Sequence, residues 1–184
     1  QMLPKRKCCQ NINVAKTKVC IFEKRRQNTH TDFFVNEVKI DQVDYFTYLG
    51  IKFKYTGSLI DAAKALSEQA LKAYYSLLSL FDKVKFDVKV KVSLFDSLIL
   101  PILLYGSEVW GVYNIKYVDK LHLRFCRYVL GVKKQTPSST VYGELGRFPI
   151  SLLCKERSLK FWCKLMTQTQ SNSYQMYHEL FNSN

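Results

Sequence analysis

The sequence is poor in glycine and proline, with 7 and 4 among its 184 residues. That scarcity argues against a turn-dense β architecture, which needs such residues at its corners, and favours long helical segments. No two aspartates are adjacent, so the usual carboxylate box for catalytic metal ions is absent from this chain. His30, His122 and His178 have no Ser, Cys or Asp at a spacing that orders a catalytic triad. Lys16-Thr17 ends like a phosphate-binding loop, but the upstream glycines that would cradle the phosphate are missing. Cys8, Cys9, Cys20, Cys126, Cys154 and Cys163 show no CxxC spacing, so free thiols in a reducing compartment are expected rather than zinc ligands or disulfides. The longest apolar run, Leu98–Tyr105, falls short of the roughly 18 residues that span a bilayer, and no secretory signal is visible. These absences predict an intracellular protein, nuclear or cytoplasmic and not secreted, with no membrane partner, no cofactor or metal of its own and no autonomous active site.

What the chain has in excess is positive charge. Lys and Arg number 28 against 15 Asp and Glu, a formal net charge of +13. The excess is spread evenly, +6 over residues 1–60 and +7 over residues 61–184, so it decorates folded surface rather than one disordered arm. Such a surface favours a polyanion, and nucleic acid is the partner expected. Hydrophobic residues make up 47%, enough for a buried core.

The periodicity divides the chain. Residues 1–16 read as an irregular basic segment. Over residues 17–56 β-branched and aromatic residues dominate. They predict short strands at Val19–Phe22, at Phe33–Val35 and Val38–Val43 turning around Asn36-Glu37, and at Tyr48–Tyr55. At Thr56-Gly57-Ser58 the period changes. Leu66, Ala70, Tyr74, Leu77 and Phe81 recur at helical spacing behind an N-cap at Ser58 or Asp61. Val92, Phe95, Ile99 and Ile102 continue as a second helix that Pro101 kinks or restarts. A third helix covers about Ile115 to Leu130 and stops at Gly131. A short one spans Ser138–Gly146, and the last runs from Pro149 to about Met166. Residues 169–184 form a polar tail with a short helix at Tyr174–Phe181. The fold class expected is α+β, a small antiparallel β region followed by a mostly α-helical bundle over residues 57–168.

The third helix carries the sharpest pattern. Lys116, Lys120, Arg124 and Arg127 stand at steps of 4, 4 and 3, and at about 100° per residue they share one narrow sector. Val118, Leu121, Phe125, Tyr128 and Val129 take the opposite one, and Lys133 and Lys134 extend the cations beyond the helix. A row of this kind can track a phosphate backbone, releasing counterions at each contact; the other reading is a solvated helix face. Arg157, Lys160 and Lys164 repeat the pattern on the last helix with Glu156 interposed, while Leu152, Leu159, Trp162 and Met166 line another face. Trp110 and Trp162 read as core residues.

Particular stretches carry a resemblance. Asn13-Val14-Ala15-Lys16-Thr17-Lys18 followed by an apolar strand, then Phe46-Thr47-Tyr48-Leu49-Gly50-Ile51, stand in the order of the palm motifs called D and E. Downstream, Leu94–Gly111 (LFDSLILPILLYGSEVWG), Leu121–Lys134 (LHLRFCRYVLGVKK) and Val141–Pro149 (VYGELGRFP) follow. Over residues 11–168 the ordered set resembles the C-terminal part of a non-LTR (LINE-type) retrotransposon reverse transcriptase, from palm remnant through thumb. The fingers and the palm motifs with the metal-binding carboxylates are not in this sequence, which opens on Gln1 and is expected to be a fragment of a longer element.

The resemblance implies roles. Asn13 and Lys16 would lie near the incoming triphosphate, with Lys16 a candidate proton donor to the leaving pyrophosphate. Tyr48, Leu49 and Gly50 would support the primer end. The helices beyond residue 60 would grip a template–primer duplex, RNA or DNA. The parent enzyme would use Mg²⁺, and the missing N-terminal part of the polymerase is a possible partner. Three readings stand open: a polymerase fragment inactive alone, a domesticated non-enzymatic nucleic-acid-binding module, and a relic without function.

Overall fold

A computed structural model describes residues 13–22, 32–35, 37–112 and 116–167, with 172, 174–176 and 179 beyond them. The fold is α+β, and its contacts divide the chain into two units between Ser58 and Leu59.

The first unit is built of local structure. Asn13 Oδ1 accepts the backbone N–H of Lys16 at 3.3 Å and caps one 3-10 turn, Val14–Lys16, inside the segment expected to be irregular. β1 (Phe33–Val35) pairs antiparallel with β2 (Val38–Ile40), Phe33 opposite Ile40, turning through Glu37 at φ 65°. β3 (Tyr45–Tyr48) pairs with β4 (Ile51–Lys54), Tyr45 opposite Lys54. The two hairpins form separate sheets.

Three strand expectations change here. Val19–Phe22 is no strand: Val19 alone bridges Gln42, in parallel, and the residues after it have no ladder among the described residues. The second strand ends at Ile40 instead of Val43. The strand expected over Tyr48–Tyr55 is the second half of a hairpin. Leu49 (φ 48°) and Gly50 (φ 81°) are both left-handed, the two-residue reversal whose twist matches the flanking strands. Among the described residues of this unit Ile40 alone is a buried large apolar residue, while Phe34, Tyr48 and Leu49 are exposed. Lys52 Nζ lies 4.2 Å from the Tyr45 ring centre and covers that face.

The second unit is helical. α1 (Ile60–Lys83) buries Leu66, Ala70, Tyr74, Leu77 and Phe81. Its N-cap is Leu59, itself buried, rather than Ser58 or Asp61; Asp61 sits within the first turn, where the helix dipole favours a carboxylate. α2 (Val88–Leu98) ends before Pro101, which lies in the first turn of α3 (Leu100–Leu103), so the proline restarts the helix. α4 (Ser107–Trp110) follows Gly106 at φ 63°. Then come α5 (Lys116–Leu130), α6 (Ser138–Glu144) and α7 (Ile150–Thr167). Ile115 and half of the expected terminal helix Tyr174–Phe181 lie outside the described residues; Tyr174, Gln175, Met176 and Glu179 are helical.

An aromatic stack forms the centre. Phe95 of α2 and Phe125 of α5 are fully buried, with ring centres 4.0 Å apart and planes 13° from parallel, and Tyr74 of α1 meets Phe125 edge-on at 6.4 Å. α4 lies so close on α7 that a Cβ at Gly111 would enter the Ser107 and Cys154 carbonyls. There Ser158 Oγ donates to the Ser107 carbonyl at 2.9 Å. Trp110 is in the core, its Nε1–H donating to the Tyr105 carbonyl at 2.8 Å. Trp162 is not: it is 49% exposed, and Leu152, Leu159 and Met166 are exposed with it. α7 buries Ile150, Cys154 and Ser158, all in its first half, and from Leu159 to Thr167 every residue but Leu165 is exposed.

One polar cluster is set into this core. Gly146 at φ 60° ends α6, with Gly146 N–H on the Gly143 carbonyl and Arg147 N–H on the Tyr142 carbonyl, the paired bonds of a Schellman stop. The turn aims Arg147 inward. Its Nη1 and Nη2 donate to Asp96 Oδ2 and Oδ1 at 3.0 and 2.5 Å, and its Nε donates to His122 Nε2 at 3.0 Å. His122 is buried between the Phe95 and Tyr142 rings. Burial first, then the Arg147 charge, lowers its pKa from 6.5 to about 4, against an opposing pull from Asp96.

Two predictions follow from this architecture. Amides in Leu66–Phe81 and Val118–Cys126 should exchange at least about a hundredfold more slowly than those in Tyr45–Lys54, because isolated hairpins are marginal; equal protection in a monomeric sample would contradict the separation. The second concerns pH. Between pH 4 and 6.5 the unfolded chain carries a proton on residue 122 that the folded chain does not, so stability is full above 6.5 and falls as pH drops. The slope is about 1.4 kcal/mol per pH unit and the total loss roughly 3 kcal/mol. His122→Gln, which keeps an acceptor for Arg147, should lose that much less stability between pH 7 and 4 in urea titrations. Identical losses would mean that His122 is not held neutral.

Candidate nucleic-acid interface

α5 is a helix whose two faces have different fates. Val118, Leu121, His122, Phe125 and Cys126 are buried, whereas Tyr128 is 37% exposed and Val129 is half-buried. The helix ends at Gly131 (φ 66°), with Gly131 N–H on the Tyr128 carbonyl and Val132 N–H on the Arg127 carbonyl, a second Schellman stop. The stop turns Lys133 and Lys134 outward just past the helix, and both are exposed.

The four cations of the stripe are not equivalent. Lys116, Lys120 and Arg124 are exposed. Arg124 Nη1 donates to Tyr75 Oη at 3.1 Å, with the guanidinium 5.9 Å from that ring's centre, which steadies it on α1. Arg127 is half-buried, and its Nη2 donates to the Thr136 carbonyl at 2.8 Å. It ties down the loop that carries Lys133 and Lys134 rather than offering its whole charge to solvent. Asp119, the acid within the stripe, accepts the Ser151 N–H at 2.9 Å and so caps the first turn of α7. Lys116, Lys120 and Arg124 thus face outward, and Asp119, which precedes Lys120, is occupied elsewhere.

Beside them, α1 and α5 enclose a groove of about 850 Å³. Lys64, Lys120, Arg124, Arg127 and Lys134 line it, against one acid, Glu68.

The echo on α7 is weaker than its spacing promised. Lys160 pairs with Glu156 at 2.5 Å, and that bond holds the Glu156 carboxyl below its ordinary range. Arg157 donates to the Leu104 carbonyl at 3.3 Å and lies 3.8 Å from Glu108. Lys164 is exposed.

The remaining predicted residues belong to the first unit. Lys16 is exposed at the end of the turn that Asn13 caps, and the two are brought together by that local bond alone. Tyr48, Leu49 and Gly50 form the tip of the β3–β4 hairpin, with Leu49 70% exposed in a left-handed conformation that is costly for a branched side chain. Sequence reasoning passed over Asp96 and Arg147 and found no partner for His122, because the bonded pairs lie 25 and 51 residues apart. A histidine adjoining the apolar sector of a strongly amphipathic helix was the signal available.

Burial pushes the Cys126 thiol up to about 11 and the Cys154 thiol to about 12, so neither is a ready nucleophile. Cys8 and Cys9 lie outside the described residues. Among the described residues no group of three His, Cys, Asp or Glu is placed to hold a metal ion, and no helix is long and apolar enough to cross a membrane.

Two curated proteins are similar to this chain. It is 32% identical over 102 residues to an uncharacterised transposon-derived protein of Caenorhabditis elegans, a stretch covering 54% of this chain and 36% of that protein. It is 24% identical over 142 residues to a Drosophila melanogaster protein named "Probable RNA-directed DNA polymerase from transposon X-element", covering 73% of this chain and 15% of that protein. The chain therefore spans about a third of the length of the first and about a seventh of the second. No family profile and no solved structure matches it. The likenesses support a transposon-related origin, akin to sequences of the reverse-transcriptase kind.

Proposed function

We propose that this chain is a fragment of a retrotransposon RNA-directed DNA polymerase that cannot polymerise by itself and that binds template–primer duplex through its helical unit. The observation that carries the reading is the α5 stripe. Lys116, Lys120 and Arg124 are exposed along one side of a helix whose other side is core, and Lys133 and Lys134 continue the row. Phosphates spaced along a backbone meet such a row without any base being read, so the binding is indifferent to sequence. The two transposon-derived relatives support the same reading. Within it, Asn13 and Lys16 belong to the triphosphate side of the parent site and the Tyr48-Leu49-Gly50 tip to its primer grip. Exposure of that tip and its strained Leu49 fit a segment that acts on a partner.

A non-enzymatic nucleic-acid-binding module is the second reading. It draws on the helical unit having its own core from Leu59 onward. The two readings share the stripe and differ in whether an upstream reading frame encodes the metal-binding aspartates.

With about four phosphates engaged, log affinity for B-form DNA should fall with log salt at a slope of about −3 to −4, and affinity at physiological salt should lie around 10⁻⁴–10⁻⁶ M. Lys120→Glu with Arg124→Glu should weaken binding and flatten the slope, leaving the helical circular dichroism signal intact. Phe125→Ala should instead cost about 3–5 kcal/mol of stability. An unchanged affinity and slope in the double charge reversal would reduce the stripe to a solvated face. The chain should also fail to extend a primed template with Mg²⁺ or Mn²⁺, because no adjacent Asp pair is present in its sequence. Template-dependent incorporation of labelled nucleotide would overturn that expectation.

A further inference from the structure

The groove between α1 and α5 differs from the stripe on its rim. Its interior is apolar, formed by Leu71, Leu121, Leu123 and Val132. Tyr117, which also lines it, is 42% exposed. Its volume of about 850 Å³ lies within the range, roughly 300–1,000 Å³, of sites that engulf small organic groups. Ser67 lines it as well.

A duplex does not meet these demands. In a duplex each base has its faces covered by stacked neighbours and its pairing edge by its partner, so a duplex offers the apolar groove no free base and touches only the cationic rim. An unpaired strand meets both: phosphate for the rim, and a flat base for the apolar interior and Tyr117. The five cations against Glu68 alone select a polyanion over an acidic-poor or neutral ligand. We propose that the α1–α5 groove seats a nucleotide of an unpaired strand, its base inside against Tyr117 and Leu71, its phosphates on Lys120, Arg124 and Lys134. This rests on the nucleic-acid reading above and narrows it, since the same face then distinguishes unpaired from paired strands.

Fluorescence anisotropy with the full chain separates the two claims, using a labelled short oligonucleotide, its duplex of the same sequence and an acidic amphipathic peptide. The single strand should bind at least as tightly as the duplex, although the duplex has the denser charge. Tyr117→Ala and Ser67→Phe, which remove the stacking surface or fill the groove, should each weaken single-strand binding by about fivefold or more and leave duplex binding within about twofold. Circular dichroism verifies folding, and the exposed Tyr117 keeps the test valid should Ser67→Phe disturb packing. Lys120→Glu with Arg124→Glu should weaken both. Duplex binding with both groove variants silent toward the single strand overturns the groove proposal and leaves the stripe reading standing. Tighter binding of the acidic peptide than of either oligonucleotide overturns the proposal in favour of a protein ligand. Binding of neither nucleic acid overturns the proposal and the reading beneath it.

Discussion

The guanidinium of Arg147 is the fixed point of the helical unit. It reaches back from the turn after α6 to a bidentate bond with Asp96 on α2 and gives its remaining Nε–H to His122 on α5. Such a pair tolerates removal of one partner badly, because the other is left with an uncompensated charge in a partly desolvated place. It also sets the rotation of α5. With His122 and Phe125 both held against α2, the sector carrying Lys116, Lys120 and Arg124 has nowhere to point but outward. The three downstream stretches behind the retrotransposon resemblance each contribute one member: Asp96 from Leu94–Gly111, His122 from Leu121–Lys134 and Arg147 from Val141–Pro149.

Local periodicity made most of this unit legible. The spacing of Leu66, Ala70, Tyr74, Leu77 and Phe81 named the buried face of α1, and Pro101 marked the restart between α2 and α3. Gly131 marked the end of α5. The β3–β4 hairpin was not legible, because its reversal uses Leu-Gly where Asn-Gly is the customary signal. A run of alternating aromatic and β-branched residues looks the same whether one strand or two. Trp162 misled for another reason. Helical arithmetic says which residues share a face, but not whether any element lies against that face. The Arg147 cluster was hidden because its members share no local pattern, and only the fold brings them together.

The candidate interface shows the same limit within a single helix. Four cations at regular steps look interchangeable, yet each makes a different bargain with the protein. Lys116 and Lys120 extend outward, Arg124 leans on Tyr75, and Arg127 is drawn in to hold Thr136. That last contact is not lost to function. By anchoring the loop after α5 it governs where Lys133 and Lys134 stand, so a residue withdrawn from the surface still shapes the charge that remains there.

The unequal burial of the two tryptophans makes them separate optical reporters. Trp110, enclosed and donating to the Tyr105 carbonyl, emits from an apolar cage and shifts to the red only when the helical unit opens. Trp162, half in solvent on α7, already emits red and is open to collisional quenching by iodide. A chain with these two indoles carries its own internal standard: one emission component follows the integrity of the core, the other anything that settles on the outer face of the last helix.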